Sequence, residues 1–326
     1  MSCHDDALFP SLVCSATTAF LEYLQVSEDE RSLMVYDKST AEIADAFKQA
    51  AMESGIKLDM RKIEPTGANG ADPDPKTCKM MLKYDVVIAA TQFSMTHCAA
   101  SHEARKAGVR IGTLPGVTSD IFERGMKVSP IELSAAGKKW IAALKGSKAI
   151  RVSSKAGTDI SFNTGFVPFK NDDGCIHKRG ECGNLPAGEV FTAPDPNSAN
   201  GKIVIDGSIG SFEWDEHSEP AIVIVKDGKA VSFEGDRGKR LQETLGAVGD
   251  GGFILAEFGI GTNPLLRLGG NLLEDEKVRG TIHLAFGNNR GFGGTNDVPV
   301  HIDGLVLSPD VFADGKQLMK AGEWLV

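Results

Sequence analysis

The sequence predicts a two-domain protein: an α/β N-terminal domain on a small parallel, doubly wound sheet, then a mostly antiparallel, β-rich α+β domain. Three observations carry this expectation. The chain has 326 residues, long for a single core. Up to about Lys145, apolar strand-like runs alternate with helix-period segments. From Ala149 onward the texture changes to short β runs separated by Gly, Asp and Asn. The expected domains are 1–147 and 148–326, the second carrying the metal-binding and catalytic residues.

In order, "SLMVYD" (Ser32 to Asp37) is a strand, and "STAEIADAFKQAAMESG" after it has a Ser/Thr N-cap and helical periodicity. "IKLDMRKIE" returns as a strand. "YDVVIAAT" (Tyr84 to Thr91) has the β-branched and small residues of a strand buried on both faces. "MTHCAASHEARKAG" reads as a helix ending at Gly108, "VRIGTLPG" as the next strand, and two helices follow. No glycine-rich fingerprint follows the first strand, where a dinucleotide fold needs one. "GIGTNP" at Gly259 and "GFGGTND" at Gly291 lack strand–helix context and read as turns. In the second half, "AIRVSSKAGTDISFN", "GKIVIDGSIG", "PAIVIVKDGKAVSFEG", "GGFILAEFGIG", "GTIHLAFG" and "VPVHIDGLVL" are β runs. Asp227-Gly228 marks a hairpin turn, and only "GKRLQETLGAVGD" reads as a helix.

Charge and cysteine usage narrow the function. The net charge is 35 − 44 = −9, with neither the basic face of a nucleic-acid binder nor a polybasic membrane patch. No apolar run is long enough to span a bilayer, and the N-terminus opens on acidic residues where a signal peptide needs basic ones. A cytoplasmic protein is expected. Cys3, Cys14, Cys78, Cys98, Cys175 and Cys182 form no CxxC and read as reduced thiols. Cys175, His177 and Cys182 share the polar loop "NDDGCIHKRGECGN", which offers no evident fourth zinc ligand.

The informative residues are polar ones inside strands. In "TIHLAFG", Ile282, Leu284 and Phe286 face one way and His283 the other. In "PVHIDGLVL", His301 and Asp303 are two apart and point the same way. Glu257 sits mid-strand in "FILAEFGIG", and Glu189 follows a Pro/Gly turn in "NLPAGEVFTAP". Glu274, Asp275 and Glu276 look solvated by contrast. Each candidate alone has an ordinary reading: a strand Glu at a sheet edge or beside an Arg, a His hydrogen-bonded in the core. Together they are costly, because a buried carboxylate must be compensated. The basic residues noted near these strands are Arg267, Arg279 and Arg290, so bound metal is the economical partner. Oxygen and nitrogen donors without Cys suit Zn, Mn, Co or Fe(II). Five exceed what one tetrahedral ion requires, whereas two ions about 3.5–4 Å apart, sharing a carboxylate, would use them all. Such a pair generates hydroxide near neutral pH, which is hydrolytic chemistry.

The order "GEVFTAP … AEFGIGTNP … HLAFG … HID" resembles the thermophilic metallopeptidase family that includes aminopeptidase T, well over Ala149 to Leu307 and loosely before it. The resemblance implies a two-domain homodimer with two divalent ions on two Glu, two His and one Asp. Matched motif by motif, these fall on Glu189, Glu257, His283, His301 and Asp303. The family's Tyr seven residues after the first motif His is replaced by Arg290, either a clamp for an oxyanion or substrate carboxylate or a surface cation of a Gly/Asn loop. The Fe(II)-dependent 2,5-dihydroxypyridine ring-cleaving dioxygenases are similar in fold and share the terminal His-x-Asp. They resemble a triad of two His and one carboxylate, with a His where this chain has Glu257 and no counterpart of Glu189.

The resulting expectation is an aminopeptidase T-type hydrolase. Two Zn, Co or Mn ions would activate water to remove the N-terminal residue of a small peptide. Glu189 is the first candidate proton shuttle, Glu257 the second, and Arg290 is a catalytic candidate. The alternatives are an Fe(II) dioxygenase acting on a hydroxylated pyridine or similar aromatic, and a metal-binding module without catalysis. A small molecule or short peptide is the expected partner, with no nucleic acid or membrane, in a homodimer.

Overall fold

The run "SLMVYD" forms the strand Arg31–Tyr36, followed by Asp37, which caps the 3-10 turn Lys38–Thr40 by accepting the Ser39 amide at 2.9 Å. The structure, a computed structural model, describes residues 5–326; Cys3 lies outside the described residues. Compact packing divides the chain into one unit of residues 1–133 and 173–187 and another of 134–172 and 188–326. The expected cut at 147 thus falls instead inside the helix Pro130–Leu144, because Trp140 and Leu144 are buried in the second unit's core.

The first unit holds a five-stranded parallel sheet in the order Lys57–Lys62, Arg31–Tyr36, Val86–Thr91, Arg110–Pro115, Cys182–Asn184. Val86–Thr91 is buried throughout, as its β-branched run requires. The helix Ala41–Ser54 ends where Gly55 turns left-handed at φ +70 and returns its amide to Ala51. The edge strand Cys182–Asn184 departs from expectation, since the stretch containing it reads as a polar loop. Arg110 explains the docking: its buried guanidinium donates to the Ile176 carbonyl at 2.9 Å and to Glu30 at 2.7 Å. His177 Nε2 donates to the Glu22 carbonyl at 3.1 Å, and no metal-type cluster forms from Cys175, His177 and Cys182 among the described residues.

The second unit packs two antiparallel sheets. The larger has eight strands, in the order Lys229–Glu234, Ala221–Lys226, Asn200–Ile205, Asp159–Asn163, Ala149–Ser153, Asp310–Ala313, Lys316–Lys320, Glu323–Trp324. Its Asp227-Gly228 turn takes positive φ at both residues, +48 and +77, as a tight hairpin needs. The second sheet comprises β1 (Lys170–Asp172), β2 (Glu189–Thr192), β3 (Leu255–Gly261), β4 (Ile282–Gly287) and β5 (His301–Val306), in that spatial order. Its inner face, with Val190, Phe258, Ile260, Leu284, Phe286 and Val306, joins Ile150, Val152, Phe162 and Ile203 of the larger sheet in one core. The Phe162 and Phe258 rings meet at 5.2 Å. A one-residue slip would turn this apolar set outward, so the core fixes the register. One detail departs from strict alternation: a bulge between Leu255 and Glu257 lets Leu255 join Phe258 in the core while Glu257 faces outward. Among the described residues, no helix is long and apolar enough to cross a membrane.

Candidate metal centre

Strand geometry gathers the candidate ligands on the outer face of the second sheet. In the cross-strand register, Asp172 lies opposite Glu189 and Glu189 opposite Gly261; Lys170 lies opposite Phe191, Phe191 opposite Gly259, and Gly259 opposite His283. Glu257 pairs with Ala285 and Ala285 with Asp303, while Gly287 pairs with His301. Directly opposed residues share a face. The small residues are what make room. A Cβ on Gly259 would stand 1.9 Å from His283 Nε2, so the imidazole lies across bare backbone. A Cβ on Gly261 would stand 2.1 Å from the Val278 carbonyl, so the chain carrying Lys277 passes directly over the sheet. The two glycines of "GIGTNP" therefore belong to β3 and serve close approach, where a turn was expected.

All five predicted residues converge, in two triads that share Glu257: Glu189, Glu257 and His283, then Glu257, His301 and Asp303. His283 Nε2 is 3.1 Å from Glu189 Oε2 and 3.5 Å from Glu257 Oε1. His301 Nε2 is 3.3 Å from Glu257 Oε2 and 3.4 Å from Asp303 Oδ1. Donors about 2.1 Å from one ion lie about 3.0 Å apart at right angles and about 3.4 Å apart in a tetrahedron, so this spacing fits a divalent cation. The donor chemistry fits as well, being imidazole and carboxylate without thiolate.

The two triads differ in their surroundings. His301 Nδ1 lies 2.6 Å from the Asn288 carbonyl, which can only accept, so Nδ1 carries a proton and Nε2, aimed at Glu257 and Asp303, is the nitrogen a cation would take in place of its proton. Ligating histidines are oriented in this way. His283 Nδ1 is buried without a hydrogen-bond partner. The outer triad is also the accessible one: the His301 side chain is 29% exposed, that of His283 1%.

The inner triad has a protein cation of its own. Lys277, fully buried, sets its ammonium 3.5 Å from Glu189 Oε1 and in direct contact with Glu276. Burial pushes the Glu189 carboxyl up, but Lys277 and a hydrogen bond from His283 outweigh it, and the pKa falls below the ordinary range. Glu276 has no such surplus. Burial, with repulsion from Glu189 and Asp303, overcomes Lys277 and raises it to about 8. Burial also opposes charge on both imidazoles, yet the surrounding carboxylates raise His283 and His301 well above the usual value. Asp303 is held down at about 2, its burial outweighed by His301.

The other sequence readings fare differently. Of the two readings of Arg290, the surface cation fits what is seen, a side chain 69% exposed and paired with Asp297 at 3.3 Å on a short 3-10 turn. Glu274, Asp275 and Glu276 are not solvated. Asp275 is fully buried and accepts from the Gly269 and Gly270 amides and from the Ser208 hydroxyl. Lys277 was overlooked as a cation near the strands, because in "EDEKVRG" it sits among charges that read as a solvated turn. Phe292 was likewise unmarked. It packs edge-on against Phe191 at 5.4 Å and against the His301 ring at 6.1 Å, giving the outer triad an aromatic border.

A family model of 2,5-dihydroxypyridine 5,6-dioxygenase matches residues 13–326. The chain belongs to that family. The 2,5-dihydroxypyridine 5,6-dioxygenase of Pseudomonas putida is 23% identical over 192 residues, which span 55% of this chain and 55% of that protein, about half the length of each. The solved structure of 2,5-dihydroxypyridine dioxygenase from Pseudomonas putida superposes with a TM-score of 0.81 at 18% identity, covering 100% of this chain and 98% of that one. AmpT from Thermus thermophilus superposes at 0.70 with 17% identity, covering 98% and 100%. These two likenesses establish the shared two-domain fold. The family match overturns the hydrolase expectation and favours the dioxygenase held as its alternative.

Proposed function

We propose that this family member is a ring-opening dioxygenase acting on a hydroxylated aromatic, with a single Fe(II) held by Glu257, His301 and Asp303. The observation that carries the reading is the Asn288 carbonyl on His301 Nδ1, at 2.6 Å, which prepares the outer triad alone for a cation. The ammonium of Lys277 supports the count of one. A second divalent ion on Glu189 would have to share that carboxylate with a positive charge 3.5 Å away. Each triad has one His and two carboxylates, which departs from the two-His, one-carboxylate pattern common in non-haem Fe(II) oxygenases and makes the centre more anionic.

Iron(II) bound there supplies open coordination positions and the redox chemistry by which dioxygen enters an aromatic ring. The chain's own residues do the rest. His301 is fixed by Asn288, and Glu257 spans the two imidazoles with one oxygen to each. Phe191 and Phe292, both half-buried, offer an apolar wall for a planar ring beside the accessible ligand. Hydroxylated pyridines are the first substrates to test, because the family's name and the Pseudomonas putida relative's name specify one.

The test is to load the full chain with Fe(II) anaerobically, measure iron per chain, and follow oxygen uptake on adding 2,5-dihydroxypyridine. The expected result is one iron per chain and one dioxygen consumed per ring opened, both oxygen atoms appearing in the product. Two tightly held ions per chain, with no oxygen uptake across a panel of hydroxylated pyridines and benzenes, would refute the proposal.

A further inference from the structure

The outer face of the same sheet carries a cation that the metal centre does not use. Lys170 opens β1, lies opposite Phe191, and belongs to the cross-strand row that continues through Gly259 to His283. It is half-buried, and among the described residues its side chain forms no hydrogen bond or ion pair. Its strand neighbour Asp172 acts on Lys277, and Glu257 attracts Lys170 without pairing with it. Removing an ammonium partly from water without a partner is unfavourable, so the position is explained if a ligand brings the counter-charge. The neighbouring aromatic chain says what kind of ligand. From Lys170 the face runs to Phe191, from Phe191 edge-on to Phe292 at 5.4 Å, and from Phe292 to His301 at 6.1 Å. A planar ring against those phenyl groups has the metal ligands on one side and an ammonium on the other.

We propose that Lys170 is a specificity residue of this aromatic surface, selecting rings that carry an ionised oxygen, a phenolate or a carboxylate, on the edge turned away from Glu257, His301 and Asp303. The inference rests on the dioxygenase reading for its aromatic class, but recognition of the anion is measured without turnover. The arrangement gives selectivity because a charge-assisted contact is lost outright by a neutral isostere.

The test uses the full chain loaded with Zn(II), which is redox-inert, and calorimetric titration with 4-hydroxybenzoate and 4-hydroxybenzamide, matched in shape and differing in charge. Wild type is expected to bind the benzoate about tenfold more tightly. Lys170→Met should abolish the difference by weakening the anion alone, and Lys170→Arg should keep most of it. Equal weakening of both ligands in Lys170→Met, persistence of the preference, or no preference in wild type would overturn the proposal. Oxygen uptake by the Fe(II)-loaded wild type is scored separately. A preference lost in Lys170→Met without uptake on any ring leaves the anion site standing and removes the dioxygenase; uptake with an unchanged preference does the reverse.

Discussion

Replacing Lys277 by Met keeps the aliphatic stem and removes the ammonium from a fully buried position. At 3.5 Å from Glu189 Oε1, the attraction is about 332/(20 × 3.5), or about 5 kcal/mol, at an effective dielectric of about 20. The net loss is smaller than this gross figure. Removing one member of a buried pair costs about 3–5 kcal/mol, chiefly because the partner's charge is left uncompensated. Glu189 is the charge left uncompensated; Glu276, raised to about 8, is mostly protonated at pH 7 and adds little to the loss. The assay is urea unfolding at pH 7 in EDTA, followed by tryptophan fluorescence. Trp140, Trp214 and Trp324 are the chain's three tryptophans and all lie in the second unit, so the signal reports that unit alone. Adding Glu189→Gln to Lys277→Met should recover at least half of the loss by removing the orphaned charge. A Lys277→Met protein within about 1 kcal/mol of wild type, or no recovery in the double variant, would refute Lys277 as the compensating charge of the inner triad.

Gly259→Ala drives a methyl group to 1.9 Å from His283 Nε2. The ring must shift and surrender its contacts with Glu189 and Glu257, so overpacking of about 1–3 kcal/mol adds to a lost charged hydrogen bond of about 1.5–3 kcal/mol. The same fluorescence assay should register at least about 2.5 kcal/mol, and wild-type stability would show that the ring does not lie over this backbone. In the first unit, Asp74 caps the helix Pro75–Met81 by accepting from the Lys76 and Thr77 amides, and it accepts from Arg61 at 3.0 Å. The Thr77 hydroxyl, with Arg61, holds its carboxyl down at about 2. Asp74→Ala should cost about 1 kcal/mol. A depressed carboxylate stabilises above its unfolded pKa and loses that contribution as pH falls through the folded one. The wild-type advantage, read by far-ultraviolet circular dichroism, should therefore be complete at pH 6 and shrink steadily below pH 4, whereas a pH-independent difference would exclude the carboxylate as its source.

Much of this architecture was legible because periodicity is a local property. The βα rhythm before Lys145 and the alternation in "TIHLAFG" follow from which faces are buried, so the parallel and antiparallel sheets and the outward set of Glu257, His283, His301 and Asp303 were all accessible to pattern. What escaped was non-local. The strand Cys182–Asn184 joins a sheet whose nearest strand in space, Arg110–Pro115, is about seventy residues earlier, and its polar sequence holds no apolar run to announce it. Lys277 was hidden for a related reason: its burial is created by Gly261, sixteen positions before it, which lets the Lys277–Val278 backbone cross over β3.

The same non-locality explains why the ligand set pointed to the wrong reaction. Five donors were counted as though each needed a metal, and five donors call for two ions. Once Lys277 is in place, Glu189 has a protein counter-ion, and its presence in "GEVFTAP" no longer implies a second metal. His283 then sits between two carboxylates with its Nδ1 unpartnered, while His301 alone has the backbone anchor that aims its Nε2 at Glu257 and Asp303. Residue identities were enough to find the centre. The proposed count of one ion rests on a lysine ammonium and a main-chain carbonyl, neither of which has a motif.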